Sequence, residues 1–114
     1  MIVVEGLKEL QFTIARVFTV IGPKGSIRGQ HAHKKCTQFL SCPYGKVEVL
    51  CKDEMNSVIY TIENPQSGIL IPPGIWAQQS YIFENTILNV FCDMPYEEQD
   101  YIRNFEEYKN YFNH

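Results

Sequence analysis

The side chains best suited to chemistry in this sequence are two histidines separated by a single residue, His31 and His33. They lie within residues 25–45, a stretch that also carries Arg28 and Gln38 and has a glycine at each end. Side chains alternate between the two faces of an extended strand, so we expect both imidazoles to point the same way. Two imidazoles on one strand face are either metal ligands or an acid–base pair.

The surrounding sequence predicts the strands that would position these histidines. Runs rich in β-branched and aromatic residues alternate with glycine, proline and asparagine turns, and they predict strands at 11–21, 27–33, 36–42, 46–51, 57–62, 68–71, 76–83 and 86–92. Only the end of the chain predicts a helix, at about residues 104–112, with Asn104 as its cap. The pattern is typical of an all-β barrel or sandwich, a single domain over residues 1–114 with a short C-terminal helix outside it.

Composition excludes several classes of protein. A hydrophobic content of 45% with 20% charged residues indicates a globular chain, and 114 residues are enough to bury a core. A net charge of −3 argues against a general nucleic-acid-binding protein. The sequence has no run of about 18 apolar residues and no basic N-terminal region before an apolar one. We therefore expect a cytoplasmic protein that does not insert into a membrane.

The four cysteines, Cys36, Cys42, Cys51 and Cys92, show no CxxC spacing. We interpret them as buried free thiols rather than as two disulfides. The alternative is a zinc site made by Cys36 with the two histidines. That site is disfavoured because Cys36, three positions after the second histidine, would face the opposite side of a continuing strand.

The spacing around the histidines resembles the first signature of the cupins, a superfamily of small antiparallel β-barrels. That signature contains a glycine, a His-x-His pair, a glutamate and a second glycine. This chain matches it at Gly25, His31, His33 and Gly45, but Gln38 stands where metal-binding cupins have glutamate.

The second cupin signature, a Pro-x-Gly turn followed by a histidine, is also incomplete here. Pro72-Pro73-Gly74 provides the turn, but Ala77 occupies the place of the histidine. A catalytic divalent metal normally needs three or more protein donors, and neither a glutamine amide nor a methyl group replaces a missing ligand well. The resemblance therefore implies no metal, with the histidines free to act as base and acid near neutral pH.

Three longer segments resemble the WxcM-like sugar 3,4-ketoisomerases, a metal-independent group of cupins. They read RGQHAHKKCTQFL, GILIPPGIW and YEEQDYIRNFEEY, within a similarity that extends from about Arg16 to Tyr108. The resemblance implies a cupin (jelly-roll) barrel that converts dTDP-4-oxo-6-deoxyglucose to a dTDP-3-oxo-6-deoxyhexose without a cofactor. That product is a precursor of 3-amino sugars in bacterial surface glycans. The resemblance also implies a homodimer that exchanges N-terminal strands.

The chemistry of such a reaction assigns roles to the residues. Moving a carbonyl from C4 to C3 requires removal of the C3 proton, an enediol and return of a proton to C4. We predict that His33 is the base and that His31 either orients it or serves as the acid. The predicted substrate-binding residues are Arg28, Gln38, Trp76 and Gln79. Lys24, Lys34 and Lys35 cluster in the sequence near Arg28, which suits a nucleotide diphosphate.

Two other functions stay open. One is a nucleotide-sugar 3,5-epimerase, in which a tyrosine across the ring from the histidine, either Tyr81 or Tyr101, returns the proton. The other is a cupin that binds a ligand without catalysis. Apart from that possible role of Tyr101 in an epimerase, we expect Asp100, Tyr101 and Arg103 to anchor the terminal helix or a dimer rather than to perform chemistry.

The chain also departs from the ketoisomerase pattern at two places. Phe18 stands in a region where the family often has tyrosines that reach the sugar, and it lacks their hydroxyl. The segment Ala77-Gln78-Gln79 differs from the histidine-containing forms common in the family. These departures leave open which configuration the product has at C4.

Overall fold

Two antiparallel β-sheets face each other in the computed structural model, which describes residues 13–63 and 68–112. The strands are β1 (Arg16–Gly22), β2 (Ile27–His33), β3 (Gln38–Tyr44), β4 (Val47–Lys52), β5 (Ser57–Ile62), β6 (Gly68–Ile71), β7 (Trp76–Tyr81), β8 (Thr86–Cys92) and β9 (Tyr101–Ile102). A short 3-10 helix, Glu98–Asp100, precedes β9, and one α-helix, α1 (Phe105–Phe112), follows it.

The strand order places the two histidines near one edge of the larger sheet. One sheet has four strands in the order β1-β8-β3-β6, and the other has five in the order β5-β4-β7-β2-β9. The predicted all-β jelly-roll fold with a C-terminal helix is confirmed. Within the described residues no hydrogen-bonded ladder joins the two sheets, so they form an open, two-sheet arrangement and not a closed barrel.

Strict alternation of side chains builds the core between the sheets. In β4, Val47 and Val49 are fully buried, as their spacing predicts, while Glu48 faces outward. In β8, Leu88 and Val90 point inward against them from the other sheet. Because the apolar residues recur at every second position, each sheet has one face that must be covered, and the two faces cover each other.

Helix α1 begins where the sequence predicts. The side-chain oxygen of Asn104 accepts the backbone N–H groups of Glu106 at 2.9 Å and Glu107 at 3.1 Å, which satisfies two of the free donors at the start of the helix. The helix packs on the outer face of the five-stranded sheet through Tyr108, whose hydroxyl donates to the carbonyl of Gly74 at 2.7 Å. It contains no segment long and apolar enough to cross a membrane, nor does any other helix of the described residues.

Four predicted strands have different bounds in the structure, and the one predicted at 46–51 is shifted by one residue, to Val47–Lys52. The strand predicted at 11–21 is observed from Arg16 to Gly22, and residues 11–12 lie outside the described residues. The strand predicted at 76–83 ends at Tyr81, and the one predicted at 36–42 begins at Gln38. The late start has a local cause, because the backbone N–H of Thr37 donates to the carboxylate of Asp93 at 2.8 Å instead of entering a ladder.

Candidate active site

Strand β2 carries both histidines on the face that points between the sheets. His33 is 5% exposed and His31 is partly buried, and their rings lie 4.9 Å apart, almost perpendicular to each other. The prediction that the two imidazoles share a face is therefore confirmed. A bulge in the pairing with β7, at Gly29 (φ +70°), separates the register of Arg28 from that of His31. Such bulges often re-aim a side chain next to a functional site.

His33 forms a buried pair with Asp100, which comes from the other end of the chain. The Nδ1 atom of His33 lies 2.8 Å from Oδ2 of Asp100, and both side chains are almost completely buried. The carboxylate also accepts the backbone N–H groups of Lys35 at 2.7 Å and Cys36 at 3.3 Å. Because these donors hold the carboxylate in place, Asp100 fixes the orientation of the imidazole.

This pairing decides which nitrogen of His33 is free to react. A carboxylate only accepts hydrogen bonds, so Nδ1 carries the proton and Nε2 keeps its lone pair. Nε2 is buried and has no hydrogen-bond partner among the described residues. Buried nitrogens without a partner are rare and often mark a site of chemistry. The arrangement is that of a general base held by a carboxylate.

Both histidines are neutral at neutral pH. Burial lowers the pKa of His31 to about 4, with smaller contributions from His33 and Arg103. Burial also lowers the pKa of His33, and the charges of Arg16 and Arg103 act in the same direction, whereas the bond to Asp100 and its charge raise it. His33 therefore starts as a base, and the carboxylate stabilises the imidazolium that forms when it takes a proton.

Tyr101 covers the two imidazoles. It is paired with His33 across the β2–β9 ladder, so its ring lies 4.4 Å from the His33 ring and 5.0 Å from the His31 ring. Arg16 donates to the phenol oxygen at 3.2 Å, and the guanidinium of Arg103 lies 4.3 Å above the phenol ring. The expectation that Asp100, Tyr101 and Arg103 serve only as anchors is not what the structure shows, since all three surround the histidines.

A cavity of about 310 Å³ opens beside these residues. Four of the six predicted site residues line it, namely Arg28, His31, Gln38 and Gln79. The cavity is also lined by Arg16, Phe18, Tyr81, Tyr96, Tyr101 and Arg103. His33 is not part of the lining, but its ring contacts two residues that are, His31 and Tyr101. The cavity therefore combines three guanidinium groups with the histidine pair, which suits an anionic ligand that undergoes proton transfer.

The basic residues of the cavity are not the lysines that the sequence indicated. The ammonium of Lys34 lies 5.0 Å from the ring of Tyr111 on α1, away from the cavity. Besides Arg28, the cavity has the guanidinium groups of Arg16 and Arg103, which the topology brings together from distant parts of the sequence. Strand alternation alone does not reveal this, because neither arginine is near the histidines in sequence.

Trp76, a predicted substrate-binding residue, lies outside the cavity. It is 5% exposed and packs edge-on against Phe105 and Tyr108, in the apolar layer beneath α1. The reason is the alternation of β7, in which Ala77 and Gln79 point between the sheets and Trp76 points to the opposite face. The tryptophan thus stabilises the helix contact, and the structure gives no support to its predicted contact with substrate.

Three buried groups near the dyad have the donor atoms of a metal site. The ligand atoms of His33, Cys36 and Asp100 lie within 4.8 Å of one another. The prediction that Cys36 faces away was wrong, because β2 ends at His33 and the chain turns back. Contact with Cys92 and burial raise the pKa of Cys36, so it stays a thiol and not the thiolate that zinc prefers. The carboxylate is already engaged by three donors, so this set fits a proton-transfer site better than a metal centre.

The positions that hold metal in many cupins have other partners here. The amide nitrogen of Gln38 donates to the sulfur of Cys92 at 3.4 Å, and Ala77 is buried in the core. All four cysteines are free, as predicted, and Cys36, Cys42 and Cys92 are buried.

Fold and site together define an open β-sandwich enzyme in which a carboxylate-held histidine packs against the lining of a cationic cavity. The family model described as "FdtA: WxcM-like, C-terminal" matches residues 1–113. The chain therefore belongs to this WxcM-like family.

Three proteins that resemble this chain are sugar 3,4-ketoisomerases or are named as 3,4-ketoisomerases. A TDP-4-oxo-6-deoxy-alpha-D-glucose-3,4-oxoisomerase from Aneurinibacillus thermoaerophilus is 31% identical over 112 residues, covering 97% of this chain and 81% of that protein. QdtA, a sugar 3,4-ketoisomerase from Thermoanaerobacterium thermosaccharolyticum solved with TDP, is 33% identical with a TM-score of 0.91, over 95% of this chain and 80% of QdtA. A 3,4-ketoisomerase from Helicobacter canadensis is 30% identical with a TM-score of 0.95, over 100% of this chain and 86% of that one.

Epimerases are more distant. The RmlC epimerase of Mycobacterium tuberculosis is 15% identical over 77% of this chain and 50% of the epimerase, with a TM-score of 0.70. That likeness shows a shared fold and nothing about activity.

Proposed function

We propose that this protein is a metal-independent 3,4-ketoisomerase that converts dTDP-4-oxo-6-deoxyglucose to a dTDP-3-oxo-6-deoxyhexose (dTDP is the TDP of the relatives' names). The observation that carries the proposal is the buried His33–Asp100 pair with its unpartnered Nε2, whose ring contacts His31 and Tyr101 in the lining of a cavity with three arginines. The activity of the relatives supports the choice of substrate. The reaction is an intramolecular redox isomerisation, so it needs no external cofactor.

His33 acts as the base of the reaction. Its Nε2 removes the proton from C3, and Asp100 stabilises the imidazolium while the electrons of the C–H bond form an enediolate that extends to O4. The imidazolium then returns the proton to C4 on the same face of the sugar. Guanidinium groups near the cavity stabilise the negative charge of the enediolate, the kind of electrostatic contribution that lowers barriers most.

His31 orients the substrate in this proposal. With a pKa of about 4 it is a neutral imidazole and not an imidazolium at neutral pH, so it fits a hydrogen-bonding role better than that of the acid. It lines the cavity in front of His33, where a neutral imidazole offers one donor and one acceptor to the sugar hydroxyls.

The remaining lining residues bind the nucleotide sugar. Arg28 is exposed at the edge of the cavity and pairs with the diphosphate, whereas Gln38 and Gln79 are buried and face the sugar. A volume of about 310 Å³ lies at the lower end of ligand cavities in proteins, which suits a hexose ring with the nucleotide extending outward.

Nuclear magnetic resonance separates this function from its two alternatives. The purified protein is incubated with dTDP-4-oxo-6-deoxyglucose in deuterated water. A ketoisomerase gives a 3-oxo product, an epimerase gives a 4-oxo product with inverted and deuterated C3 or C5, and a binding protein gives neither. The position of Tyr101 does not suit the acid of an epimerase, because its ring packs directly against that of His33, so the epimerase alternative depends on Tyr81.

A substitution tests the role of the base. His33→Asn keeps a hydrogen-bonding side chain beside Asp100 but cannot hold the proton from C3, so we expect turnover to fall by about 10² or more. Binding of dTDP, measured by calorimetry, is expected to change little because Arg28 and the cavity edge are untouched. Near-native turnover in a variant with a native circular dichroism spectrum would remove His33 from the mechanism.

The assembly and setting of the protein are part of the same proposal. We infer a cytoplasmic homodimer that exchanges N-terminal strands and supplies a 3-oxo sugar to a transaminase in the biosynthesis of dTDP-3-amino sugars for surface glycans. Exposed apolar side chains on β1, Val17 at 53% and Ile21 at 61%, support burial of this edge strand by a second chain. Light scattering at micromolar concentration is expected to give about twice the 13.3 kDa chain mass, and a monomer would contradict the exchange.

A further inference from the structure

We propose that Tyr101, together with Arg16, carries the oxygen proton of the isomerisation, taking it from the C3 hydroxyl and giving it to the C4 oxygen. This inference rests on the proposed function and deepens it. It assigns a catalytic role to a hydroxyl group in a chain that has Phe18, with no hydroxyl, on the neighbouring wall of the cavity.

The reaction requires two protons to move. One leaves C3 and arrives at C4. The other leaves the C3 hydroxyl, which becomes the ketone, and arrives at the C4 oxygen, which becomes the alcohol. In the step proposed here the phenol O–H bond breaks as its proton binds the C4 oxygen of the enediolate. The C3 O–H bond then breaks as its proton returns to the phenolate, so the enzyme ends as it began and no other reactant is consumed.

His33 has no free position for this second proton. Its Nδ1 proton is committed to Asp100 at 2.8 Å, so only Nε2 exchanges protons with the substrate. While Nε2 holds the carbon proton, it cannot also relay a proton between the two oxygens. The oxygen proton needs a different group within reach of the same ring carbons.

Tyr101 is placed to be that group. It lines the cavity, and its ring contacts both imidazoles, with centroid distances of 4.4 Å to His33 and 5.0 Å to His31. A sugar carbon facing Nε2 of His33 therefore has its oxygens near the phenol. The ladder between β2 and β9 fixes this placement through the backbone, because Tyr101 is the direct partner of His33.

Arg16 supplies the charge that the step needs. It donates to the phenol oxygen at 3.2 Å, and among the described residues it forms no ion pair with a carboxylate. Its positive charge therefore stabilises the negative charge that develops on the phenol oxygen as the proton leaves. Arg103, above the ring of the same tyrosine, differs in being paired with Glu98.

The variant Tyr101→Phe tests the inference, because it removes the hydroxyl and keeps the ring against the histidines. In deuterated water we expect the 3-oxo product to form about 10² times more slowly, while deuterium still enters C3 of the unconverted substrate. Deuterium exchange at C3 without isomerisation would indicate the loss of the phenol. In that variant His33 still removes the proton from C3, but no group carries a proton from the C3 hydroxyl to the C4 oxygen. Arg16→Gln is expected to give the same separation to a smaller degree.

Matched controls decide between the outcomes. Tyr111→Phe removes an exposed hydroxyl on α1 and is expected to leave both rates unchanged. If Tyr101→Phe isomerises at a near-native rate, or if exchange and isomerisation fall by the same factor in both Tyr101→Phe and Arg16→Gln, the inference is overturned and the phenol only packs. If the unmodified protein neither exchanges nor isomerises, the proposed function fails as well, so the two failures are distinct.

Discussion

Replacing Asp100 by asparagine tests the central feature of the site. The side chain keeps its size but loses one acceptor oxygen, and Asp100 serves three donors: the ring of His33 and the backbone N–H groups of Lys35 and Cys36. The new amide N–H₂ must therefore face a donor whichever way it turns. Turned toward the ring, it forces the proton of His33 onto Nε2, and turned toward the backbone it opens the turn that follows β2.

The first orientation removes the reactive tautomer of the base, and the second loosens the turn that holds its hydrogen-bond partner in place. We expect turnover to fall by between about 10² and 10⁴, the range for loss of a general base or of its correct tautomer, which corresponds to about 3–5 kcal/mol of barrier. We also expect the free energy of unfolding to fall by about 1.5–3 kcal/mol, because a buried hydrogen bond to a charged group is lost. Steady-state kinetics and urea unfolding measure the two effects separately.

The pH dependence distinguishes a positioning role from a purely structural one. Asp100 raises the pKa of His33 through its bond and its charge, so Asp100→Asn is expected to lower that pKa further. The acid limb of kcat/KM then moves to lower pH even as the rate falls. Asp93→Asn is the matched control, because Asp93 accepts the N–H of Thr37 at 2.8 Å without touching a histidine, and its profile is expected to stay unchanged. A rate within a few-fold of native, or an acid limb that does not move, would refute the reasoning.

Three further results are expected. Gly29→Ala is expected to lower both the free energy of unfolding, by about 1–2 kcal/mol, and turnover, because φ is +70° at this position and the new Cβ would lie 2.2 Å from Oε1 of Gln79. Gly25→Ala is the control, since φ is +86° there but the space is open, and thermal unfolding is expected to show a loss of stability from the backbone strain without a loss of turnover. The free energy of unfolding is expected to fall as pH drops from about 6.5 to about 4, because the unfolded chain binds a proton at His31 that the folded chain excludes, and this contribution is at most about 3 kcal/mol. In His31→Asn the urea midpoint is expected to depend less on pH over the same range. Dialysis against EDTA is expected to leave the rate unchanged, and a loss restored by one divalent metal would contradict the metal-free mechanism.

Local patterns predicted most of the strands and half of the site. Alternation alone placed His31 and His33 on one face, and it also explains why Gln79 reaches the cavity while Trp76 does not. The tryptophan was assigned to the substrate because an aromatic residue after a turn is a common ligand contact. Applying the same period of two to β7, with buried Ala77 as the reference, would have placed it on the other face.

Asp100 and Tyr101 were visible in the sequence only as part of a resemblance. Their partners are 67 and 85 residues away, and no periodicity relates positions in different strands at such separations. The strand order brings β9 beside β2, and that order follows from long-range packing. The segment DYIR is typical of the ketoisomerases, but nothing in its own sequence separates a role in the site from the predicted role as an anchor.

The separation of these partners has a consequence for how the protein becomes active during its synthesis. Arg16 and His33 are synthesised well before their partners Tyr101 and Asp100, which lie 85 and 67 residues further along the chain. A nascent chain that has formed every strand up to β8 has most of the residues that line the cavity, but it has neither the carboxylate of Asp100 nor the phenol of Tyr101. The site is complete only when the strand pair β2–β9 closes, so we expect a chain that ends before Asp100 to be inactive.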